Sequence, residues 1–222
     1  MESFRIHRGL SLRSPVVSPS NPSKGFSLIE LLVVLAIIGV IMTIVLSSQS
    51  SFNKTLTLTN TAYDIALTLR NAESYGLGSR AAGSAVSGCA ANAGYGVHFQ
   101  TGGSFILFAD TSPISSCATP DLKPGNNIYT SGSDFLAQTY TLGNGITIKD
   151  FCVLSNSGWS CDYDSLDIVF SRPNPDAHIS ADNIYNSSYT KACIAITSPQ
   201  GGEKYVSVSA SGQIIANATS CP

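Results

Sequence analysis

Between Phe26 and Leu46 nearly every position is apolar: the run FSLIELLVVLAIIGVIMTIVL has 21 residues, a single charge at Glu30 and no proline. As a helix it rises about 30 Å, the thickness of a bilayer's hydrocarbon layer. Beyond Leu46 the unbroken apolar character ends while a helical period persists, with Phe52, Leu56, Ala62, Ala66 and Leu69 recurring so as to leave one apolar face. Gly76, Gly78 and Gly83 are stop signals. The pattern therefore predicts one helix, about 75 Å long, from Phe26 to near Tyr75. A break at Ser47 to Ser51 followed by a separate amphipathic helix is the alternative, and it leaves the architecture unchanged.

After a small-residue stretch the period shortens to that of strands. Tyr95 to Gln100 and Ser104 to Ala109 flank Thr101-Gly102-Gly103 and read as a β-hairpin. Further predicted strands are Gln138 to Leu142, Ile146 to Leu154, Leu166 to Ser171, Ala192 to Ser198, Lys204 to Ala210 and Gln213 to Ala216. Asn144-Gly145, Ser157-Gly158, Gly201-Gly202 and Ser211-Gly212 supply the turns. Strands joined this tightly are antiparallel. A helix followed by a run of strands predicts an α+β fold in which the helix covers a face of an antiparallel sheet.

Length and charge narrow the possibilities. The 222 residues suit one ordinary domain with an appendage. Charged residues are 12% of the chain, about half the usual share, so disorder driven by charge is excluded. Arg5, Arg8, Arg13 and Lys24 precede the apolar run against Glu2 alone, which leaves eight bases and thirteen acids after residue 25. A net charge of −5 beyond that point argues against a polyanion partner, and no nucleic acid is expected.

Cys89, Cys117, Cys152, Cys161, Cys193 and Cys221 are even in number and never two residues apart. That spacing is poor for a zinc or thioredoxin-type site and good for disulfides, which place the domain outside the cytoplasm. Several pairings are open. Sequence proximity across hairpins favours Cys89 with Cys117, Cys152 with Cys161, and Cys193 with Cys221.

The bases before the apolar run, with none after it until Lys54, hold the N-terminus in the cytoplasm and send the remainder out. The apolar core is too long for a secretory signal peptide. A plain single-pass anchor accounts for everything except Glu30, because a carboxylate in a membrane helix costs up to about 3 kcal/mol and usually has a partner. The segment Lys24-Gly25-Phe26-Ser27-Leu28-Ile29-Glu30-Leu31-Leu32 resembles the processing site of type IV prepilins and pseudopilins. The resemblance implies that a membrane-embedded prepilin peptidase cuts after Gly25, methylates the new N-terminus at Phe26, and leaves Glu30 as the assembly residue. It divides the chain into a removed leader 1–25, a transmembrane and assembly helix 26–46, an amphipathic half-helix 47–78 and an extracytoplasmic β-rich head 79–222. Its implied partners are other pilin or pseudopilin subunits, the peptidase, the inner-membrane assembly machinery and the membrane.

The amphipathic helix, YGVHF with FILFAD, LDIVFSRPNPDA and the closing strand after Ser211-Gly212 resemble minor pilins and pseudopilins grouped with the H subunit of type II secretion. Some DNA-binding members of that group carry Gly-Arg-x-Arg near the C-terminus. The matching positions here, Gly212-Gln213-Ile214-Ile215, have no base. The resemblance thus implies a non-enzymatic structural subunit of a type IV pilus or related filament. A type II secretion pseudopilin, a DNA-uptake pilin and an anchored domain that never assembles are the alternatives.

Catalytic chemistry finds no motif. His7, His98 and His178 are far apart in sequence, and His98, between Val97 and Phe99, reads as an outward-facing strand residue. No Walker loop, Gly-x-Ser-x-Gly or His-Glu-x-x-His occurs, and no cofactor is implied. Asp162, Asp164 and Asp167 form the densest carboxylate group; they are weak candidates for a hard cation and read mainly as solvated turn acids. Trp159 reads as a cap on a small apolar cluster. Asn53, Asn186 and Asn217 each open an N-glycosylation triplet.

Overall fold

The computed structural model describes residues 25–78, 80, 82, 93–112, 125–218 and 220–221, with the backbone alone for 47–53. Cys89, Cys117 and Gly83 lie outside the described residues. The chain divides into two compact units at Leu46/Ser47. A single helix, α1, is assigned over Leu28–Leu77, without the break near Ser47.

In the second unit α1 presents Leu58, Ala62, Ile65, Ala66, Leu69 and Ala72, all buried, at the three- and four-residue spacing of one helix face. Leu56, expected on that face, is 44% exposed. It lies two residues from Leu58, which turns it to the far side of the helix. The true register is set by Leu58 and Ile65.

Eleven strands follow: β1 (Gly94–Gln100), β2 (Ser104–Asp110), β3 (Phe135–Thr141), β4 (Thr147–Ser155), β5 (Gly158–Cys161), β6 (Ser165–Phe170), β7 (Ala177–Ala181), β8 (Ile184–Tyr185), β9 (Lys191–Thr197), β10 (Glu203–Ser209) and β11 (Ile214–Ala218). They form two antiparallel sheets, not one: a six-stranded sheet in the order β3-β2-β1-β6-β7-β8 and a five-stranded sheet in the order β11-β10-β9-β4-β5. The β1–β2 hairpin turns where Thr101-Gly102-Gly103 predicted it. Strands β5, β7 and β8 were not legible, being short or flanked by polar turns.

Alternation sorts the sheet residues by face. Tyr95, Val97, Phe99, Phe105, Leu107, Ile168, Phe170 and Ile179 of the six-stranded sheet join Ile148, Phe151, Val153, Ile194, Ile196, Val206 and Val208 of the other in one core with the helix face. Tyr75 of α1 packs edge-on against Tyr95 with ring centroids 5.5 Å apart. At the other end of this contact Lys54 Nζ donates to the Gln200 carbonyl at 3.3 Å.

Two disulfides close the five-stranded sheet. Cys152–Cys161 joins directly opposed residues of β4 and β5, with Cα atoms 4.1 Å apart. Cys193–Cys221 ties the segment after β11 back to β9 across 28 residues, with Cα atoms 5.7 Å apart. Closing a loop of that length stabilises the fold by about 3 to 4 kcal/mol in the chain-entropy account.

Gly76, expected as a stop, lies inside α1. A side-chain carbon there would fall on the carbonyl of Phe170 at the end of β6. The glycine lets the helix backbone reach the strand. Gly76→Ala should therefore push the helix end from β6 and destabilise the second unit by about 1 to 3 kcal/mol, as overpacking does. Gly143→Ala, where no atom lies within 4 Å and φ is not positive, should leave the packing intact; denaturant midpoints of the two variants provide the comparison.

Candidate functional site

The N-terminal segment is built from a helix start. Ser27 precedes α1; its Oγ accepts the Glu30 N–H at 3.2 Å and its carbonyl accepts the Leu31 N–H at 3.2 Å. Serine followed three residues later by glutamate is the capping-box pattern, and it satisfies an amide the helix itself cannot reach. Glu30 is thereby held in the first turn, the end where a helix favours negative charge. Phe26 lies just outside the helix and is 83% exposed. Among the described residues, no atom lies within 4 Å of a side-chain carbon placed on Gly25, so their packing does not require glycine there.

Leu28–Leu46 is a helix long and apolar enough to cross a membrane, and none of it is buried within the protein. Thr43, its one hydroxyl after Ser27, donates to the Gly39 carbonyl at 2.8 Å and so brings no unsatisfied donor. Such a surface is stable only against lipid or other apolar helices.

A second constellation escaped the sequence. The residues of the six-stranded sheet that point away from the core, Gly96, His98, Phe108, Asp110, Asp167, Val169 and Ser180, are also buried. A strap, Gly125–Asp134, lies against His98, Phe108, Asp110 and Ser180. Tyr129 of the strap packs on His98 and Phe108, with ring centroids 4.8 and 5.1 Å away. Asp110 accepts the Asn126 and Asn127 N–H groups at 3.1 and 2.7 Å. Asp134 accepts those of Thr111, Ser112 and Thr130 at 2.9, 2.8 and 2.7 Å. Ser180 donates to the Asn127 carbonyl at 2.7 Å. Gly125 has a positive φ, and a side-chain carbon on it would strike the Asp110 carboxyl.

Contrary to the sequence reading, His98 faces inward and is 4% exposed. It meets Asp167 across β1 and β6, Nδ1 to Oδ1 at 2.7 Å. Asp167 is fully buried, and its Oδ2 has no hydrogen-bond partner of normal geometry. Burial raises its pKa against the opposing effects of His98 and the Tyr129 amide. Burial likewise raises Asp134, against three amide bonds, and pushes Asp110 up to about 7.

The acids Asp162, Asp164 and Asp167 do not converge. Asp162 and Asp164 are exposed, and β6 turns Asp167 inward to its histidine, so the reading of Asp167 as a solvated turn acid is corrected. Asp150 lies close to Cys152 and Cys161, but those two sulfurs are bonded to each other and are spent as ligands. Trp159 is half-buried beside Leu154, with Lys191 Nζ 5.9 Å from the ring centroid. Asn186 lies in the turn after β8, where its Oδ1 accepts from the Ser188 N–H and Oγ–H at 3.0 and 2.7 Å.

The prokaryotic N-terminal methylation motif matches residues 20–46. No curated protein and no solved structure matches the chain. The motif supports a type IV pilin- or pseudopilin-type precursor, and together with the apolar helix it supports a membrane-anchored, single-pass protein.

The His98–Asp167 pair should be a large contributor to the stability of the second unit. His98→Ala strands a buried carboxyl and removes the surface under Tyr129. It should cost about 3 kcal/mol, and His98→Gln, which keeps a donor, should cost less. Urea unfolding of the two variants tests the difference.

Proposed function

We propose that the chain is a non-enzymatic structural subunit, of the minor kind, of a type IV pilus or related filament. Prepilin peptidase cuts after Gly25 and methylates Phe26, and residues 26–46 then serve first as membrane anchor and later as assembly helix. Residues 47–78 carry the second half of the helix, and 79–222 form an extracytoplasmic head. The observation that carries this reading is the unburied apolar helix Leu28–Leu46, preceded by Gly25 and holding Glu30 in its capped first turn.

Cleavage leaves an ammonium at Phe26, and methylation of an amine keeps its charge. In lipid near the headgroups that charge and Glu30 both reach water. When the helix leaves for a bundle of other helices, each charge needs a partner, since an unpaired one in an apolar setting costs several kcal/mol. The Glu30 carboxylate of an incoming subunit and the ammonium of a neighbour already in place neutralise each other. The disulfides on the head suit its export to an oxidising compartment.

Intact-mass measurement on the membrane fraction should give a chain that starts at methylated Phe26. Gly25→Leu should accumulate as the uncut precursor, even though nothing in the fold excludes a side chain at that position. Processing that goes on normally in Gly25→Leu would sink the assignment.

Glu30→Gln keeps shape and loses charge. The variant should be inserted, exported and cut as usual, yet enter sheared surface filaments at a clearly lower ratio to the membrane pool than wild type. An unchanged ratio would identify a tethered domain that does not assemble.

A further inference from the structure

The second face of the six-stranded sheet is closed by an irregular segment held through carboxyl groups, and such a closure responds to protons. Among the described residues, the strap Gly125–Asp134 touches the sheet through the Asp110 bonds to Asn126 and Asn127, the Ser180 bond to Asn127 and the Tyr129 rings on His98 and Phe108. Asp134 holds the strap's other end to Thr111 and Ser112, just after β2. The strap contains no lysine, arginine or histidine. We propose that Gly125–Asp134 is a lid over His98 and Phe108, latched mainly through Asp110 and released as the surroundings change from acid to neutral.

The groups around the latch define its direction. Asp110 is faced by Asp134 at the strap's end and by Asp167 from β6, both of which disfavour its charge. From β1 comes His98, already engaged with Asp167. From β2 and β3 there is no further carboxylate or basic residue, and β7 adds His178, which lies by Ser171 and Tyr185. The strap itself brings the two amides, which favour the charge but do not outweigh the loss of water. In the closed state the Asp110 carboxyl holds its proton up to about 7, against 3.8 for a hydrated group.

Opening hydrates the carboxyl and lets the proton go, so proton uptake closes the lid and proton loss opens it. The contribution of Asp110 to closure is complete below the hydrated value. It declines as pH climbs and is lost once pH passes the closed-state value. Asp134 and Asp167 shift in the same direction and reinforce the trend. Phe108, fully buried against Tyr129 of the closed strap, is the apolar surface that opening uncovers.

The experiment is amide hydrogen exchange on the full chain in detergent micelles at pH 5 and pH 8, corrected for the intrinsic exchange rate. In wild type the opening constant of peptides covering 125–134 should rise about tenfold or more from the lower to the higher pH, while peptides from β9 remain far better protected. In Asp110→Asn, which keeps an acceptor and cannot ionise, most of the rise should vanish. Equal corrected protection of the strap at both pH values in wild type would overturn the proposal, whether or not the variant folds. So would a strap that opens only together with β9, or a rise that persists undiminished in Asp110→Asn.

Discussion

The face of α1 that carries Leu58, Ala62, Ile65, Leu69 and Ala72 is buried in one core with both sheets. Small and large residues alternate along it. Alanines bring the backbone near the strands, Ile65 and Leu69 fill the space between them, and Gly76 ends the contact by letting the helix backbone approach β6. Register follows from this packing. The strands that share this core have their inward sets fixed by it, and a slip of one residue would turn such a set to the outside. The helix portion Leu28–Leu46 is unburied, and its stability depends on lipid or on other helices.

Covering the second face of the six-stranded sheet poses a different problem. An irregular segment laid over apolar residues buries its own amides, and a sheet face offers no backbone acceptors to receive them. Here side-chain carboxyls from β2 and from the strap's end supply those acceptors. The solution carries an electrostatic penalty, because three acids lie in one partly dehydrated region with one histidine among them. Polar satisfaction and charge burial are in tension at this place, and the raised pKa values are its expression.

The two halves of the chain were unequally legible. Membrane length, charge asymmetry and the Gly25 to Glu30 segment are local properties, and local properties survive in a sequence. The hairpin at Thr101-Gly102-Gly103 and the helix end near Tyr75 were legible for the same reason. The strap was not, since a carboxylate bonding a backbone N–H leaves no trace in the residue that donates it. Asp110, Asp134 and Asp167 are scattered along the chain, and only the fold gathers them. His98 was misread because alternation assumes one wet face, and where β1 lies beside β6 both faces are dry. Leu56 was misplaced because two apolar registers two residues apart compete, and the larger partners Leu58 and Ile65 decide between them.

The two disulfides among the described residues lie on the five-stranded sheet, whose free edges are β5 and β11. One fastens β5 to its inner neighbour β4; the other fastens the chain just beyond β11 to β9, in the middle of the sheet. An edge strand normally fails under load by unzipping, one hydrogen bond after another from a free end. With both edges riveted inward, a pull on the chain's last residues reaches β9 through a covalent bond and bypasses the β10–β11 ladder. Neither edge can then peel from its free end without a covalent bond in the way. For an edge strand, that is the difference between a seam that runs and one that holds.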